Sequence, residues 1–272
     1  MMIRWIAMLL AAAMLGSLCA CAPQAGQPAD AKEPADSRPA GASAPELCSE
    51  VQYPAAIGYE DYEARRAVRE QNPLDDGFLA ATDHFAWQSA AAVLGTGKGN
   101  ANYAPLSLYL ALSLAAAGAE GQTRSQMLSL LGMADGDELT KQCAMLYRLL
   151  YTDNRIGRLK IANSLWLDDE VQGAAVEFKQ EYSETAAKDF YASVFKADFA
   201  AEATAQAMAD WVAEHTNGKL VPAFQTDPNR VLAILNTVYF YDEWTDAFTE
   251  SATEPGVFHA ADADVTADFM KI

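Results

Sequence analysis

The chain has 272 residues, and 51% of them are hydrophobic, which is enough for a sizeable buried core. Its 19 Lys and Arg residues against 37 Asp and Glu residues give a formal net charge of −18. This balance argues against nucleic acid as a partner, because phosphate binding needs clustered cations and no run of Lys or Arg occurs. It is typical of a soluble, secreted surface.

Residues 1–20 predict a lipoprotein signal peptide. Arg4 precedes an apolar segment from Ile6 to Leu15, and Leu18-Cys19-Ala20-Cys21 is similar to a lipobox. The apolar segment is too short for a comfortable membrane span. Cleavage before Cys21 predicts a lipid-anchored protein that is exported to the cell envelope or the extracellular space. An ordinary secretory signal, cleaved at about the same position, is the alternative.

Residues 21–46 predict a disordered linker, because five prolines alternate with Ala, Gln, Ser and Asp. One domain is expected over residues 47–272. Its cysteines, Cys48 and Cys143, could pair in an exported protein, but their wide spacing does not establish contact and two free thiols are favoured. Neither belongs to a C-x-x-C or Cys/His cluster, so the sequence predicts no metal or redox site.

The first half of the domain predicts helices. A leading segment, residues 47–76, is expected to dock with a short helix whose arginines pair within that helix. Residues 78–94 form the next helix, followed by a glycine-rich loop without P-loop spacing. Pro105 begins a helix that is apolar almost all round up to Gly118, which predicts a central buried helix. Thr123 to Gln126 predicts a capping box for a helix that ends at Gly132.

The second half mixes strands with helices. Residues 159–167 alternate as a strand, and residues 178–190 form a helix. A helix with an apolar stripe of Ala203, Ala207 and Trp211 ends at Asn217-Gly218. The apolar run Val231–Tyr241 predicts a strand buried on both faces, and residues 265–269 predict another strand. Helices first, then strands and helices together, indicate an α+β domain with a mostly antiparallel sheet.

One polar residue, Asn236, interrupts the Val231–Tyr241 run. An unpaired buried amide costs about 1–3 kcal/mol, so we expect the fold to provide partners for it.

No enzyme activity and no cofactor are predicted. The three histidines are isolated: His84 in a polar-flanked helix, His215 near a helix end and His259 in an expected loop. No Gly-x-Ser-x-Gly, His-Glu-x-x-His or cysteine–histidine arrangement occurs. The acidic cluster at residues 168–170 is read as a solvated turn.

Several segments resemble, in order and spacing, the serpin family of protease inhibitors. One match begins with Trp211-Val212 and Thr216-x-Gly218-Lys219-Leu220 and continues with Leu235-Asn236-Thr237-Val238-Tyr239-Phe240 and Trp244. Earlier matches are Asn100-x-x-x-x-Pro105-Leu106-Ser107-Leu108, Gly118-Ala119-x-Gly121-x-Thr123 and Ile161-Ala162-Asn163-Ser164-Leu165-Trp166. Residues 191–199 resemble a short strand, and residues 253–258 resemble the turn after the tryptophan. The details are most similar to secreted bacterial serpins.

The resemblance implies a serpin fold, with helices packed on large, mostly antiparallel sheets. It also implies a suicide substrate that traps an endopeptidase, serine-type or cysteine-type with the former favoured, by inserting a cleaved reactive loop into the sheet. The Val231–Tyr241 strand would border the insertion gap, and the helix over residues 200–217 would lie across it. A non-inhibitory, surface-binding serpin is the alternative. A solute-binding lipoprotein is a third, but it requires a strand–helix alternation that residues 105–132 lack.

The resemblance also implies site residues. Ser107 and Asn236 would belong to the polar cluster called the shutter, whereas Ala104 stands where serpins often carry a second serine. Trp244 would lie at the breach, where the loop enters the sheet. Simple core packing is the alternative for these positions. The reactive bond is expected beyond Ile272, so the chain is expected to be the N-terminal part of a serpin; a genuine short product is the alternative.

Overall fold

A computed structural model describes residues 44–95, 100–260 and 262–271. The signal peptide, Cys21 and nearly all of the linker lie outside the described residues and stay predictions. Seven helices occur in the described part: α1 (Tyr62–Gln71), α2 (Asp76–Leu94), α3 (Pro105–Gly118), α4 (Gly121–Leu130), α5 (Gly136–Leu150), α6 (Gln180–Asp189) and α7 (Glu202–His215). A 3-10 turn covers Glu250–Ala252.

Nine strands accompany these helices within the same ranges. They are β1 (Glu46–Ser49), β2 (Thr152–Asp153), β3 (Arg158–Asp168), β4 (Glu170–Val171), β5 (Ala174–Ala175), β6 (Ala192–Ala197), β7 (Leu232–Tyr241), β8 (Glu254–His259) and β9 (Asp264–Phe269). The pairs β4–β5 and β8–β9 form separate two-stranded sheets.

The main sheet is built around β3. On one flank β3 pairs in parallel with β6, and β1 pairs antiparallel with the outer edge of β6. On the other flank β3 pairs antiparallel with β7 over ten residues. The first residues of β3 pair with both β2 and β7, so β2 lies on the same flank as β6. The sheet is mostly antiparallel, as the sequence predicted.

Helices cover both faces of this sheet. Residues of one face, such as Ile161 and Leu165, join a core with α2, α3, α5 and α6. Residues of the other face, such as Ala162 and Trp166, join a second core with α7. β3 is therefore buried on both faces, because each face meets a different helical layer. It is buried in this way although part of its sequence alternates in polarity.

Two predicted helices match the structure closely. α3 buries six of its residues without any marked apolar stripe, as a central helix should. α7 ends where the sequence placed the stop: Asn217 and Gly218 have φ values of 51° and 70°. The Gly218 N–H then reaches back to the Ala213 carbonyl at 2.8 Å, which satisfies an end carbonyl of the helix.

The predicted capping box is wrong. α4 begins at Gly121, before Thr123, and its N-cap Glu120 makes no side-chain capping hydrogen bond. Gly121 has a φ of 59°, so the chain turns there and the helix starts three residues earlier than an N-cap at Thr123 would place it. Ala203 is exposed, and Thr204 takes its place on the buried side of α7.

Residues 254–258 belong to strand β8 instead of a turn, because they pair with β9. His259 ends that strand instead of lying in a loop.

The burial predicted for β7 is also wrong. Only Thr237 in the strand is fully buried, whereas Leu232, Phe240 and Tyr241 are exposed. β7 has a paired strand on one edge alone among the described residues, and α3 and α7 cover only its middle.

The two domain cysteines are unpaired, as favoured from the sequence: Cys48 is exposed and Cys143 is buried. Arg66 pairs with Glu70 at 2.7 Å within α1, which confirms the predicted pairing for that arginine, whereas Arg65 donates to the Tyr59 carbonyl outside the helix. No helix in residues 44–95, 100–260 and 262–271 has the length and apolarity that a bilayer crossing requires.

Candidate functional site

Ser107 and Asn236, which are 129 residues apart, meet in the structure. Ser107 lies in the first turn of α3, whose start is set by Pro105 at the first helical position. Asn236 lies at the middle of β7, on the face that packs against α3. The Ser107 hydroxyl Oγ donates a hydrogen bond to the Asn236 carbonyl oxygen Oδ1.

Asn163 continues this arrangement from the neighbouring strand. It stands directly opposite Asn236 in the β3–β7 register, and its side chain is 1% exposed. The Asn236 amide Nδ2 donates to Asn163 Oδ1 at 2.6 Å. Asn163 Nδ2 donates in turn to the Phe190 carbonyl at 2.7 Å. We call these four groups, from the Ser107 hydroxyl to the Phe190 carbonyl, the polar chain.

The polar chain fixes the orientation of both amides. Turning the Asn163 amide over would set its NH2 group against that of Asn236 and its oxygen against the Phe190 carbonyl. Turning Asn236 over would set two carbonyl oxygens together. The hydrogen bonds of the polar chain therefore all run in one direction, and they join α3, β7, β3 and the end of α6 into one unit.

A tyrosine cluster supports the far end of the polar chain. Tyr191, which follows Phe190, has a φ of 51° and stacks on Tyr147 with ring centroids 4.0 Å apart. The Tyr147 hydroxyl donates to the Ile161 carbonyl on β3. Burial raises the pKa of Tyr147 well above its usual range, so this hydroxyl stays protonated and acts as a donor at any physiological pH.

Ala104 lies at the N-cap of α3 and provides no side-chain capping hydrogen bond. A serine there could cap the helix. Trp244 lies three residues past the end of β7, is 75% exposed, and packs edge-on against Phe248 with centroids 6.1 Å apart. The structure thus joins Ser107 to Asn236, and it leaves Trp244 apart from them.

Asn163 was not among the residues predicted for this cluster. Its signal in the sequence is the same as that of Asn236: a single amide within a strand whose neighbours are mostly apolar. Two such amides in separate strands are good candidates for mutual partners, since each needs hydrogen bonds when buried.

The free edge of β7 lies beside the polar chain. β3 occupies one edge of β7 along its whole length, and no strand in the described part of the chain pairs with the other. α7 packs across the opposite face of the sheet through Met208, Trp211 and Val212. Within the described ranges, no group of three or more His, Cys, Asp or Glu side chains is placed to hold a metal ion.

These features define an α+β protein in which one mixed sheet lies between two helical layers and, within the described residues, has β7 at its edge. The family model for Serpin (serine protease inhibitor) matches residues 80–272. The chain belongs to the serpin family. The resemblance drawn from the sequence motifs and the fold inferred from it are both confirmed.

Relatives and solved structures agree with this assignment. Serpin-ZX of Arabidopsis thaliana is 30% identical over 204 residues, which cover 71% of this chain and 51% of that protein. Serpin-Z2B of Triticum aestivum is 32% identical over 205 residues, with 71% and 50% covered. The native stressed conformation of Arabidopsis AtSerpin1 has a TM-score of 0.60 at 27% identity, covering 71% of this chain and 52% of that one.

A thermophilic serpin, tengpin, in its native state matches with a TM-score of 0.65 over 84% of this chain and 55% of that one; at 22% identity the likeness concerns the fold alone. The chain spans about half the length of the curated relatives it matches.

Proposed function

We propose that the protein acts in its whole-length form as a protease inhibitor, with a serine-type endopeptidase as its target. In the mechanism implied by the family, the protease cleaves an exposed reactive loop and stays attached as an acyl-enzyme. The loop then inserts as a new strand next to β7 and carries the protease with it. The protein is a substrate that traps its enzyme, and it is not itself an enzyme.

The match to the serpin family model over residues 80–272 is the observation that supports this proposal most, and β7 is the strand beside which the loop would insert. Within the described residues, β7 has ten residues and one paired edge, and its other edge carries backbone N–H and C=O groups that an incoming strand could pair with. Main-chain hydrogen bonds along this edge would stabilise the inserted loop regardless of its side chains. The polar chain would keep β7 attached to α3 and β3 while the loop inserts, since none of its hydrogen bonds uses the free edge.

The position of α7 is the second support. Its buried side chains pack on Trp166 and Phe199 across one face of the sheet. Addition of a strand next to β7 would widen the sheet beneath this helix, so α7 must shift while the loop inserts. Thr204 Oγ1 and Trp211 Nε1 on α7 and Thr237 Oγ1 on β7 are buried without hydrogen-bond partners among the described residues. A layer with such unsatisfied groups is easier to rearrange than a fully satisfied one.

A covalent complex is the expected result of the inhibitor assay. The protein expressed from its complete gene should form an SDS-resistant band with at least one of a trypsin-like, a chymotrypsin-like and a subtilisin-like protease. The same protease with its active-site serine blocked beforehand should give no band, because the complex is an acyl-enzyme.

Cleavage without a complex for all three proteases would contradict the inhibitor proposal and favour a non-inhibitory, surface-binding serpin. Reading the gene past the codon for Ile272 provides an independent check. An in-frame stop codon at that position would also contradict the proposal, since the reactive bond is expected beyond Ile272.

We further propose that Cys21 carries a lipid anchor that holds the domain at the cell surface. Replacement Cys21→Ala is expected to abolish fatty-acid labelling and to release the protein from membranes, or to block its processing. Cys19→Ala, two residues away, is the matched control and should leave labelling unchanged. Label that persists in the Cys21→Ala protein would refute the assignment.

A further inference from the structure

A cavity of about 230 Å³ lies between the C-terminal turn of α7 and the sheet face that α7 covers. Its floor consists of Lys160 and Ala162 from β3 and of Tyr239 from β7, which stands directly opposite Lys160. Glu214 and His215 from α7 form the roof. The cavity is separate from the polar chain, because Asn163 and Asn236 belong to the opposite face of the sheet.

Tyrosines form a wall of this cavity. Tyr53, in the segment that follows β1, stacks on Tyr151 with centroids 5.9 Å apart and ring planes 8° apart. The column continues to Tyr147 at 6.1 Å and to Tyr191 at 4.0 Å. Tyr53 and Tyr151 both line the cavity, but Tyr151 is stacked between Tyr53 and Tyr147, so Tyr53 at the end of the column is the ring that can offer a face to a planar ligand.

The charged groups of the cavity stand on opposing walls. Lys160 and Arg158 come from the sheet, whereas Glu214 comes from α7. Asp153 pairs with Lys160 at 2.7 Å, but it lies 3.8 Å from Arg158 Nε, beyond hydrogen-bonding distance. Within the described part of the chain, no hydrogen bond engages the Arg158 guanidinium. The guanidinium is ion-paired with Asp153 and lies over the ring of Tyr241, 5.8 Å from its centroid. Its N–H donors can still bind a carboxylate, which a guanidinium holds through two parallel hydrogen bonds.

We propose that this cavity binds a small phenolic acid, with its carboxylate on Arg158, its ring against Tyr53, and its hydroxyl donating to Glu214. The volume is below the 300 Å³ or so at which pockets for drug-sized ligands begin, so it suits one ring with short substituents. A carboxylate acceptor on the α7 wall favours a ligand with a hydroxyl at the end away from its own carboxylate, since a second anion there would be repelled. This proposal does not depend on protease inhibition.

Calorimetric titration of the protein expressed from its complete gene with 4-hydroxybenzoate tests the proposal. Binding is expected, and three comparison ligands should be weaker. Phenol lacks the carboxylate and 4-hydroxycyclohexanecarboxylate lacks the planar ring, and each should bind at least ten-fold more weakly. Benzoate lacks the hydroxyl and should lose a few-fold in affinity. These comparisons use the unaltered protein, so they do not depend on any variant folding.

Variants locate the binding to this cavity. Arg158→Gln should weaken 4-hydroxybenzoate at least ten-fold, and Tyr53→Leu should weaken it several-fold. Arg155→Gln removes an exposed arginine nearby in sequence and should bind like the parent. No binding of 4-hydroxybenzoate at millimolar concentration would overturn the proposal. Equal binding of all four ligands, or unchanged binding to a folded Arg158→Gln protein, would overturn it as well.

Discussion

Replacement of Asn163 by alanine is expected to lower the free energy of unfolding of the whole protein by about 2–5 kcal/mol. The change leaves two groups without partners, the half-buried Asn236 Nδ2 and the buried Phe190 carbonyl, and an unsatisfied group costs about 1–3 kcal/mol when it is buried. Urea denaturation followed by tryptophan fluorescence measures the loss, because Trp166 and Trp211 lie in the cores on β3 and α7.

Ser107→Ala is the matched control at the other end of the polar chain. Ser107 is half-buried, and its loss deprives only the Asn236 oxygen of a donor. We therefore expect a cost of about 1 kcal/mol, the usual net value of one hydrogen bond. An Asn163→Ala protein no less stable than Ser107→Ala would contradict the role given to the polar chain in holding β7 to β3.

Residues 44–272 expressed alone are expected to self-associate and to bind hydrophobic dyes. The free edge of β7 is a template for pairing with another chain, and the strand carries exposed Leu232, Phe240 and Tyr241. Size-exclusion chromatography and dye fluorescence measure this. A monomeric elution profile with a sharp, cooperative melt would show that the β7 edge does not drive association.

A charged residue on β7 distinguishes strand-edge pairing from association through exposed aromatic surface. Phe240 is 70% exposed on β7, and Phe240→Lys should reduce the associated fraction several-fold, since charged side chains oppose edge pairing. Trp87 is 74% exposed and belongs to α2, not to β7, so Trp87→Lys is the matched control. Equal improvement by both changes would indicate that exposed aromatic area, and not the strand edge, causes the association.

Local sequence patterns predicted the main helices and strands of the fold. The all-round apolarity of the helix after Pro105, the Asn217-Gly218 stop and the apolar run of β7 each depend on neighbours in sequence, and each is confirmed within one or two residues. The partners of Asn236 depend on residues far away in sequence. A need for partners could be predicted from the single amide in an apolar strand, but the β3–β7 register that supplies Asn163 could not.

Other features were missed for similar reasons. β1 has a short, mostly exposed sequence, and it is a strand because the edge of β6 offers it hydrogen bonds. The tyrosine column joins residues from position 53 to position 191, and no periodicity in the sequence connects them. The burial of β7 was overestimated because an apolar run shows only that a strand can be buried. Whether it is buried depends on the neighbouring strands and helices.

Hydrogen exchange of β7 during reaction with a protease tests the central claim most directly. In an antiparallel strand about half of the backbone N–H groups point to each edge, so about five of the ten residues of β7 should point away from β3. We predict that these amides become at least ten-fold more protected in the whole protein after the reactive loop is cleaved. Unchanged exchange along β7 after complete cleavage would contradict strand addition at this edge.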